Sequence, residues 1–427
     1  MPVRSTSVLV WLVLSLAQSL AAQLTPEQKS ANLASFELVW STVRDRHPDP
    51  RLNGLNWQAV HDATRPHIEK AETMDAVRGA LRAMLGKLNT SHYAIIPGDL
   101  YQSLDVTSDI ETSDASSGIK PVLIDGKAVV ESVEPDSPAA RAGIRPGMTL
   151  ESIDGATVTP MLRLAEELKD REAQRIVARA VRRKLDAGAR GEPLRLDVLD
   201  ENGVSKHIDL ARAEPAGKMV TFGNLPPTRL VFESRLLPGG AGYIRFNEFL
   251  DPVSLMPQFE AAVKEFRQTP GIVLDLRGNP GGIGIMAMGI AGFFIDKKGQ
   301  KLGEMKMRET TLKFIVFPRA ETYQGKLAIL LDAGSASTTE ILAQGLQDLK
   351  RARVFGSRSA GAALPSDIIR LPNGDGFQFA QASYTSVNGR VLEGAGVIPD
   401  VEVPETRQAL LEGHDPVIEA AETWIKK

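Results

Sequence analysis

The chain has 427 residues, which is too long for one ordinary hydrophobic core and predicts two or three domains. Its 50 basic and 53 acidic residues give a formal net charge of -3, so charge gives no reason to expect a nucleic acid or an acidic membrane surface as a partner. Cysteine is absent, which excludes disulfides, thiolate zinc sites and cysteine nucleophiles. The six histidines form no closely spaced pair, and we expect neither a metal nor an organic cofactor.

The start of the chain, residues 1–22, has the pattern of a secretory signal peptide. Arg4 supplies positive charge, residues 8–16 are apolar, and small residues at 19–22 suit a cleavage site. An uncleaved anchor is the alternative, although the apolar run is short for a membrane span and no second run of spanning length follows. We expect a mature protein that begins near Gln23, has no integral membrane segment and works outside the cytoplasm, in the periplasm.

Residues 23–98 are predicted to form an N-terminal helical domain. Thr25 and Pro26 form a helix start, and the apolar residues from Phe36 to Val43 recur at helical spacing. A second helix is predicted to start near Trp57 and a third to cover residues 74–88, just before Ser91 and His92.

Residues 115–214 contain short strand patterns and a distinctive helix and turn. Strands are predicted over 122–124 and 128–133, a short helix over 137–142, and a glycine-bounded turn over 143–147. The run continues to Asp154-Gly155 and resembles a PDZ domain.

In PDZ domains an extended peptide adds as a strand, and its carboxylate meets backbone N–H groups of a glycine-containing loop. The resemblance implies that Gly118 and Ile119 bind a peptide. A small β domain without a peptide ligand is the alternative.

Residues 215–427 alternate between strand and helix patterns, which is typical of an α/β layer structure with at least partly parallel strands. The predicted strands cover 241–246, 272–276, 327–331 and 353–355, and the longest predicted helices cover 252–267, 283–294 and 338–350.

Ser337 lies at the start of a predicted helix, directly after an apolar strand. Unpaired N–H groups and the positive end of the helix dipole suit a nucleophile whose reaction develops an oxyanion. Ser337 and Glu340 also have the spacing of a capping box, which is an alternative role for the serine. The neighbouring Ser335 is a second candidate for the nucleophile.

A glycine-rich segment, residues 275–284, follows another predicted strand. Residues 282–287 match a loose dinucleotide-binding pattern, but residues 277–281 separate this pattern from the strand and no suitable acidic residue follows about 20 positions on. We therefore do not expect a nicotinamide cofactor.

Three motifs together resemble the peptidase core of the S41 serine peptidases, which include C-terminal processing proteases and the tricorn core protease. They are Leu274-Asp275-Leu276-Arg277-Gly278-Asn279-Pro280-Gly281-Gly282, Ser335-Ala336-Ser337-Thr338-Thr339-Glu340 and Glu393-Gly394-Ala395-Gly396-Val397-Ile398-Pro399-Asp400. With the helical and PDZ-like blocks before it, this order implies a multidomain α+β and α/β protein with a ClpP/crotonase-like core.

The two branches of this family differ in the general base that activates the serine. C-terminal processing proteases use a lysine about 25 residues after the nucleophile, where this chain has Ala362, and Lys350 would lie on the nucleophile's own helix. The tricorn-like branch uses an adjacent Ser-His pair and a glutamate, which correspond to Ser91, His92 and Glu393.

By this resemblance Ser337 attacks the scissile carbonyl, His92 accepts its proton, and Ser91 and Glu393 orient the imidazole. The N–H groups of Gly282 and Thr338 would form the oxyanion hole. A serine hydroxyl needs such a base within hydrogen-bond reach, and histidine has a suitable pKa.

The sequence thus predicts a secreted serine endopeptidase that hydrolyses polypeptides with help from its PDZ domain. The alternative is a non-proteolytic protein that binds apolar ligands or peptides on the same scaffold, as some relatives do. The sequence does not define the oligomeric state.

Overall fold

The computed structural model describes residues 23–88, 93–98, 101, 115–168, 171–220, 228–363 and 365–427. The predicted signal peptide, Ser91 and His92 lie outside these residues. In the described part of the chain, no helix is long and apolar enough to cross a membrane.

The N-terminal block is helical, as predicted. Its helices are α1 (Pro26–Arg46), α2 (Trp57–Glu69) and α3 (Met74–Gly86). The side chains of Thr25, Asn56 and Thr73 accept hydrogen bonds from the first turns, which explains where the helices begin. The third helix ends two residues before the predicted boundary at 88.

A strand follows the three helices and ties them to the C-terminal part of the chain. This strand, β1 (Ala94–Ile96), pairs with β18 (Gly376–Ala380), which in turn pairs with β17 (Ser366–Arg370). Leu371, Phe377 and Phe379 of this hairpin lie in the same buried cluster as the helices. The helical block therefore shares its hydrophobic core with the C-terminal hairpin.

The PDZ-like unit is an antiparallel sheet covered by helices. Its sheet order is β2-β3-β4-β6-β7, so β2 is an edge strand, and β5 pairs with β4. The elements of the unit, in chain order, are β2 (Ile119–Ile124), β3 (Lys127–Val133), α4 (Pro138–Arg141), β4 (Thr149–Ile153), β5 (Ala156–Thr157), α5 (Thr159–Leu168), α6 (Arg171–Asp186), β6 (Pro193–Leu199) and β7 (Ser205–Ala211). The two longer helices of the unit, α5 and α6, lie between β5 and β6 in the chain.

The C-terminal part is built on a mostly parallel sheet of order β10-β11-β12-β15-β16-β20. Only the β10–β11 pair is antiparallel within this order. The strands are β10 (Phe232–Leu236), β11 (Gly242–Phe246), β12 (Gly271–Asp275), β15 (Lys326–Leu331), β16 (Arg353–Gly356) and β20 (Val401–Glu402). The predicted α/β alternation is confirmed, with boundaries displaced by up to three residues.

Helices cover both faces of this sheet, which explains why its central strands are continuous apolar runs. The larger apolar cluster contains residues of α7 (Pro252–Glu265), α8 (Gly284–Ala291) and α9 (Thr338–Asp348). A second cluster on the sheet contains residues of α11 (Pro416–Lys426), which follows the short helix α10 (Arg407–Glu412).

Smaller strands complete the described part. β8 (Lys218–Val220) pairs with β9 (Thr228–Leu230), and β13 (Lys301–Met307) lies between β14 (Thr311–Ile315) and β19 (Ala382–Ser386). The parallel strands of the main sheet point their carboxyl ends at one edge, so the loops after β12 and β15 meet there.

Candidate active site

Ser337 has an uncommon backbone conformation at the start of α9. Its φ is 56° and its ψ is -121°, whereas an ordinary helix-capping residue lies in the β region. A non-glycine residue there is strained by about 1–3 kcal/mol, and nucleophiles on strand-to-helix turns use this kind of strain to expose the hydroxyl. The conformation favours the nucleophile over a plain helix cap.

Ser335 has a structural position instead. Its side chain is fully buried, and its Oγ donates to the Leu276 carbonyl at 2.9 Å and accepts from the Asp332 N–H at 3.0 Å. Ser335 thus joins the loops after β12 and β15, while Ser337 is half-buried. The geometry makes Ser337 the better candidate of the two serines.

The glycine-rich loop after β12 lies directly against the Ser337 turn. Gly281 has a φ of 96°, and a Cβ added there would lie 2.7 Å from the Ser337 Cβ and 2.8 Å from the Thr338 nitrogen. The Thr338 Oγ1 donates to the Gly282 carbonyl at 2.8 Å. These contacts explain why the sequence needs glycine here.

We predict that Gly281→Ala lowers turnover about 100-fold or more, because the added methyl group displaces the Ser337 turn. Gly299→Ala is the matched control, since Gly299 has a φ of 78° but open space around its Cβ position. Initial rates on a fluorogenic polypeptide test both variants. Equal rates for Gly281→Ala and Gly299→Ala would contradict this explanation.

The two N–H groups assigned to the oxyanion hole lie on adjoining segments. Within the described residues, neither the Gly282 nor the Thr338 N–H has an acceptor among the hydrogen bonds of the loops. Thr338 is the first residue of α9, so its N–H lies at the positive end of the helix dipole. The pair has the chemistry of an oxyanion hole.

Asn279 fixes the loop that carries Gly282. The fully buried side chain donates to the Phe246 carbonyl at 2.9 Å and accepts from the Gly281 N–H at 2.9 Å. The main-chain carbonyl of Asn279 accepts from the Ala336 N–H and from the Thr339 hydroxyl, both at 3.0 Å. Asn279 therefore positions the glycine loop and the nucleophile turn together.

Glu340 forms more than a helix cap. Its buried carboxylate accepts from the Ser337 N–H at 3.0 Å, the Ser359 hydroxyl at 2.5 Å, and the Gly361 and Ala362 N–H groups at 2.8 and 2.9 Å. Burial raises the pKa of Glu340, and the four donors oppose this rise. The carboxylate therefore ties the nucleophile turn to residues 359–362.

Ala362 lies beside Ser337. Its carbonyl accepts from the Ser337 N–H at 3.0 Å, and its methyl side chain is buried in a small cluster with Ala336 and Ala360. Lys350 is exposed just beyond the far end of α9. Neither residue gives Ser337 a lysine base.

Glu393 lies on a turn that joins the same network. The Gly394 N–H donates to the Gly361 carbonyl at 2.8 Å, and the Val397 N–H donates to the Ser359 hydroxyl at 2.6 Å. Glu393 itself is half-buried. The turn that carries Glu393 is thus connected through Ser359 and Glu340 to Ser337.

The predicted base, His92, lies outside the described residues, but its neighbour Tyr93 does not. The Tyr93 hydroxyl donates to the Ala380 carbonyl at 3.3 Å, and its ring packs on the large core cluster that also contains Ala363 and Leu392. Burial raises the pKa of Tyr93. Tyr93, the residue after His92 in the chain, therefore contacts the hydrophobic core of the C-terminal part.

Other histidines in the described part of the chain have partners elsewhere. His47 accepts from the Asp49 N–H and stacks on Tyr93, and His61 contacts Glu37 and Asp62 in the helical block. His207 pairs with Asp197 on β6, and His414 pairs with Glu419 on α11. None of these contacts involves Ser337. The described residues include no cluster of three potential metal-binding side chains.

The loop assigned to peptide binding is already hydrogen bonded within the protein. The Gly118 N–H donates to the Ser116 Oγ at 3.0 Å, and the Ile119 N–H donates to the Ser117 Oγ at 3.2 Å. A peptide carboxylate would have to replace these bonds.

A cavity of about 610 Å³ lies between the PDZ-like unit and the peptidase core. Its walls are β2 and α6 on one side and the loops after β12 and β15, with Pro280 and Gly334, on the other. Ser337 is not among the lining residues. The cavity therefore adjoins the loops of the site without including the nucleophile.

A group of charged side chains lies at this boundary. Lys120 pairs with Glu131 at 2.7 Å on the PDZ side, and Arg277 pairs with Glu405 at 3.1 Å on the core side. Burial and the nearby Glu131 raise the pKa of Glu405 to about 7.

A raised carboxylate pKa predicts a loss of stability as the pH rises from about 4.5 to 7. In that window the folded state keeps a proton that the unfolded state has released. We expect Glu405→Gln to remove this dependence, with a difference of about 3 kcal/mol between the ends of the window. Urea unfolding of both proteins at several pH values measures it, and parallel pH profiles would contradict the assignment.

The fold and the site define a class of protein. The strained serine at a helix N-terminus, the two N–H groups on adjoining segments and the PDZ-like unit beside the core loops are features expected of a serine peptidase. Comparison with known proteins gives the same class. The model of peptidase family S41 matches residues 240–403, a PDZ model matches 129–183, and the tricorn protease C1 model matches 32–86. The S41 match over residues 240–403 and the C-terminal processing relatives indicate that the protein is a serine peptidase, a hydrolase.

Named relatives agree with this class, and solved structures have a similar fold. The chain is 26% identical over 375 residues to the chloroplastic carboxyl-terminal-processing peptidase 3 of Arabidopsis thaliana, covering 85% of this chain and 67% of the relative. The photosystem II D1 C-terminal processing protease has a TM-score of 0.51 at 20% identity, covering 95% and 98% of the two chains. Mature CPAF complexed with lactacystin has a TM-score of 0.58 at 14% identity, covering 93% and 98%.

Three positioning residues were not assigned from the sequence. Asn279, Glu340 and Ser359 connect the segments of the site through buried side chains. The asparagine before Pro280 and the capping-box spacing of Glu340 were visible signals. Ser359 gave no signal, because its partners are 19 and 38 positions away in the chain.

Proposed function

We propose that the protein is an exported serine endopeptidase that hydrolyses polypeptides with the tetrad Ser337, His92, Ser91 and Glu393. The observation that carries the proposal is the strained Ser337 turn, whose φ is 56° at the N-terminus of α9. Strain of this kind persists only where surrounding contacts impose it, and it is concentrated at functional sites.

In the proposed reaction the Ser337 Oγ attacks the scissile carbonyl carbon while His92 takes the hydroxyl proton. The tetrahedral intermediate collapses, the C–N bond breaks, and His92 gives its proton to the leaving amine. Water then attacks the acyl-enzyme with His92 again as base, which releases the carboxylic acid and restores Ser337. Ser91 and Glu393 orient the imidazole and stabilise its charged form.

The developing oxyanion is stabilised by the N–H groups of Gly282 and Thr338. Each such donor is typically worth about 3–4 kcal/mol of transition-state stabilisation. Ala362 supports this assignment of the base, because it leaves the Ser/Lys mechanism without a lysine beside Ser337.

Polypeptide substrates pass the PDZ-like unit in this proposal. The cavity between β2, α6 and the core loops supports a path from the unit towards the site. The N-terminal residues support export across the cytoplasmic membrane and a periplasmic location.

Hydrolysis of a fluorescein-labelled unfolded protein tests the proposal. We expect His92→Ala to lower the rate at least about 1,000-fold, while Ser91→Ala and Glu393→Gln reduce it less, because they act through the histidine. His67→Ala, an exposed histidine on α2, is the matched control and is expected to leave the rate unchanged. An unchanged rate in His92→Ala would contradict the tetrad.

The contribution of the PDZ-like unit is tested separately by deleting residues 117–213. Unchanged turnover on the same substrate would refute PDZ-assisted binding. Absence of hydrolysis by the full chain, together with copurified lipid or peptide, would favour the non-proteolytic binding protein.

A further inference from the structure

The carboxylate of Asp186 lies in the loop that the PDZ resemblance assigns to a peptide's terminal carboxylate. Asp186 is the last residue of α6, and its Oδ1 accepts from the Ser117 N–H at 3.0 Å. The same oxygen accepts from the hydroxyl groups of Ser117 at 3.1 Å and Ser116 at 3.4 Å. The side chain is only 17% exposed. A carboxylate of the protein itself therefore occupies this loop.

The next two N–H groups of the loop are also satisfied. Ser116 and Ser117 turn their hydroxyl oxygens back to the N–H groups of Gly118 and Ile119. Three consecutive donors, from Ser117 to Ile119, thus point at side chains of this chain. A captured C-terminus needs these same donors.

The end of α6 is held in place against this loop. Arg212, which is 4% exposed, donates to the carbonyls of Leu185 at 3.0 Å and Lys184 at 3.4 Å. The Ser116 N–H donates to the Ala213 carbonyl at 2.7 Å, next to Arg212 in the chain. The same β-bridge therefore holds both the loop and Arg212, the residue whose side chain caps α6.

The local charge also opposes a second carboxylate. Glu134, whose N–H donates to the Gly118 carbonyl, is partly buried next to the loop. Burial raises the pKa of Glu134, Asp186 adds to the rise, and Arg182 opposes it. A peptide carboxylate in this loop would meet two acidic side chains that share one nearby arginine, which is unfavourable.

The rest of the groove remains suited to an extended chain. Among the strands that the structure describes, β2 pairs with β3 alone, so its outer edge offers backbone groups for strand addition. Lys120 to Ile124 of β2 line the cavity together with Ala178 and Arg182 of α6. None of these contacts needs a free chain end.

We propose that Asp186 takes the place of a peptide's terminal carboxylate, so that the PDZ-like groove binds internal extended segments of polypeptides and does not select free C-termini. The consequence for cleavage rests on the proposed function: substrates would be cleaved without recognition of their C-termini. The binding itself requires no catalysis.

Peptide capture by the full chain carrying Ser337→Ala tests the inference independently of hydrolysis. A pool of mixed-sequence decapeptides is offered as equal amounts of free acid and isotopically labelled C-terminal amide, and the retained ratio is read by mass spectrometry. We expect an acid-to-amide ratio within about twofold of one. Adding Asp186→Ala opens the donors and is expected to raise the ratio at least about tenfold.

Two matched controls test whether the change in the acid-to-amide ratio comes from the loss of the acceptor at Asp186. Asp209→Ala removes an exposed aspartate of the same unit and is expected to leave the ratio near one, as is Asp186→Asn, whose amide oxygen can still accept from Ser117. A strong preference for free acids with the native loop would overturn the proposal and needs no variant. Retention of neither peptide form by any of the proteins would also overturn it.

Discussion

Ser337→Ala is expected to abolish turnover, with a loss of about 1,000-fold to 1,000,000-fold, because the covalent route through the serine disappears. Ser335→Ala is the matched control. It removes a buried hydroxyl that bonds Leu276 and Asp332, so it should lower the free energy of unfolding by about 1–3 kcal/mol and retain activity per folded molecule. Loss of activity in Ser335→Ala but not in Ser337→Ala would mean that Ser335 is the nucleophile and Ser337 has the structural role.

The backbone strain at Ser337 can also be tested through stability, by comparing two substitutions of this residue. Ser337→Gly should be more stable than Ser337→Ala by about 1 kcal/mol or more, since glycine accepts a φ of 56° without a Cβ penalty. Urea unfolding compares the two inactive proteins directly. Equal stability would mean that the turn is not strained.

Asp275→Ala is expected to produce the largest loss of stability, about 3–5 kcal/mol. The carboxylate is fully buried and accepts from the Tyr243 hydroxyl at 2.9 Å and from the Arg277 guanidinium at 2.6 and 3.0 Å. Removing it leaves the buried Arg277 with Glu405 and Asp415 as its remaining carboxylate partners in the described part of the chain. Activity should fall too, because Arg277 begins the loop that carries Gly281 and Gly282.

The matched control for Asp275 is Glu233→Gln, which breaks an exposed pair with Arg235 at 2.9 Å and should cost less than about 1 kcal/mol. Burial alone would raise the pKa of Asp275. The neighbouring Arg277 nevertheless holds this pKa well below its usual range. Stability from this pair is therefore present above the ordinary aspartate pKa and is lost only in strong acid. Equal unfolding free energies for the two variants would contradict the role assigned to this network.

The local patterns of the sequence were sufficient to predict the helices and strands and to propose a candidate nucleophile. Apolar periodicity predicted the helices of the N-terminal block and the strands of the core, because each is determined by residues close in the chain. Ser337 could be found for the same reason, as a serine between an apolar strand and a helix.

What the sequence could not give depends on contacts between distant residues. The positive φ of Ser337 is held by Gly281 and by the Ala362 carbonyl, which lie 56 and 25 positions away. Likewise, Asp186 reaches Ser117 across 69 positions, so its place in the peptide loop was not visible. The sharing of a core between the helical block and Phe377 required the same tertiary information.

The most direct test of the account is to treat the purified full chain with a fluorophosphonate probe and map the adduct by peptide mass spectrometry. The account predicts a single adduct on Ser337, absent in Ser337→Ala and strongly reduced in His92→Ala. An adduct on another serine, or undiminished labelling of Ser337 without His92, would contradict the assignment of nucleophile and base.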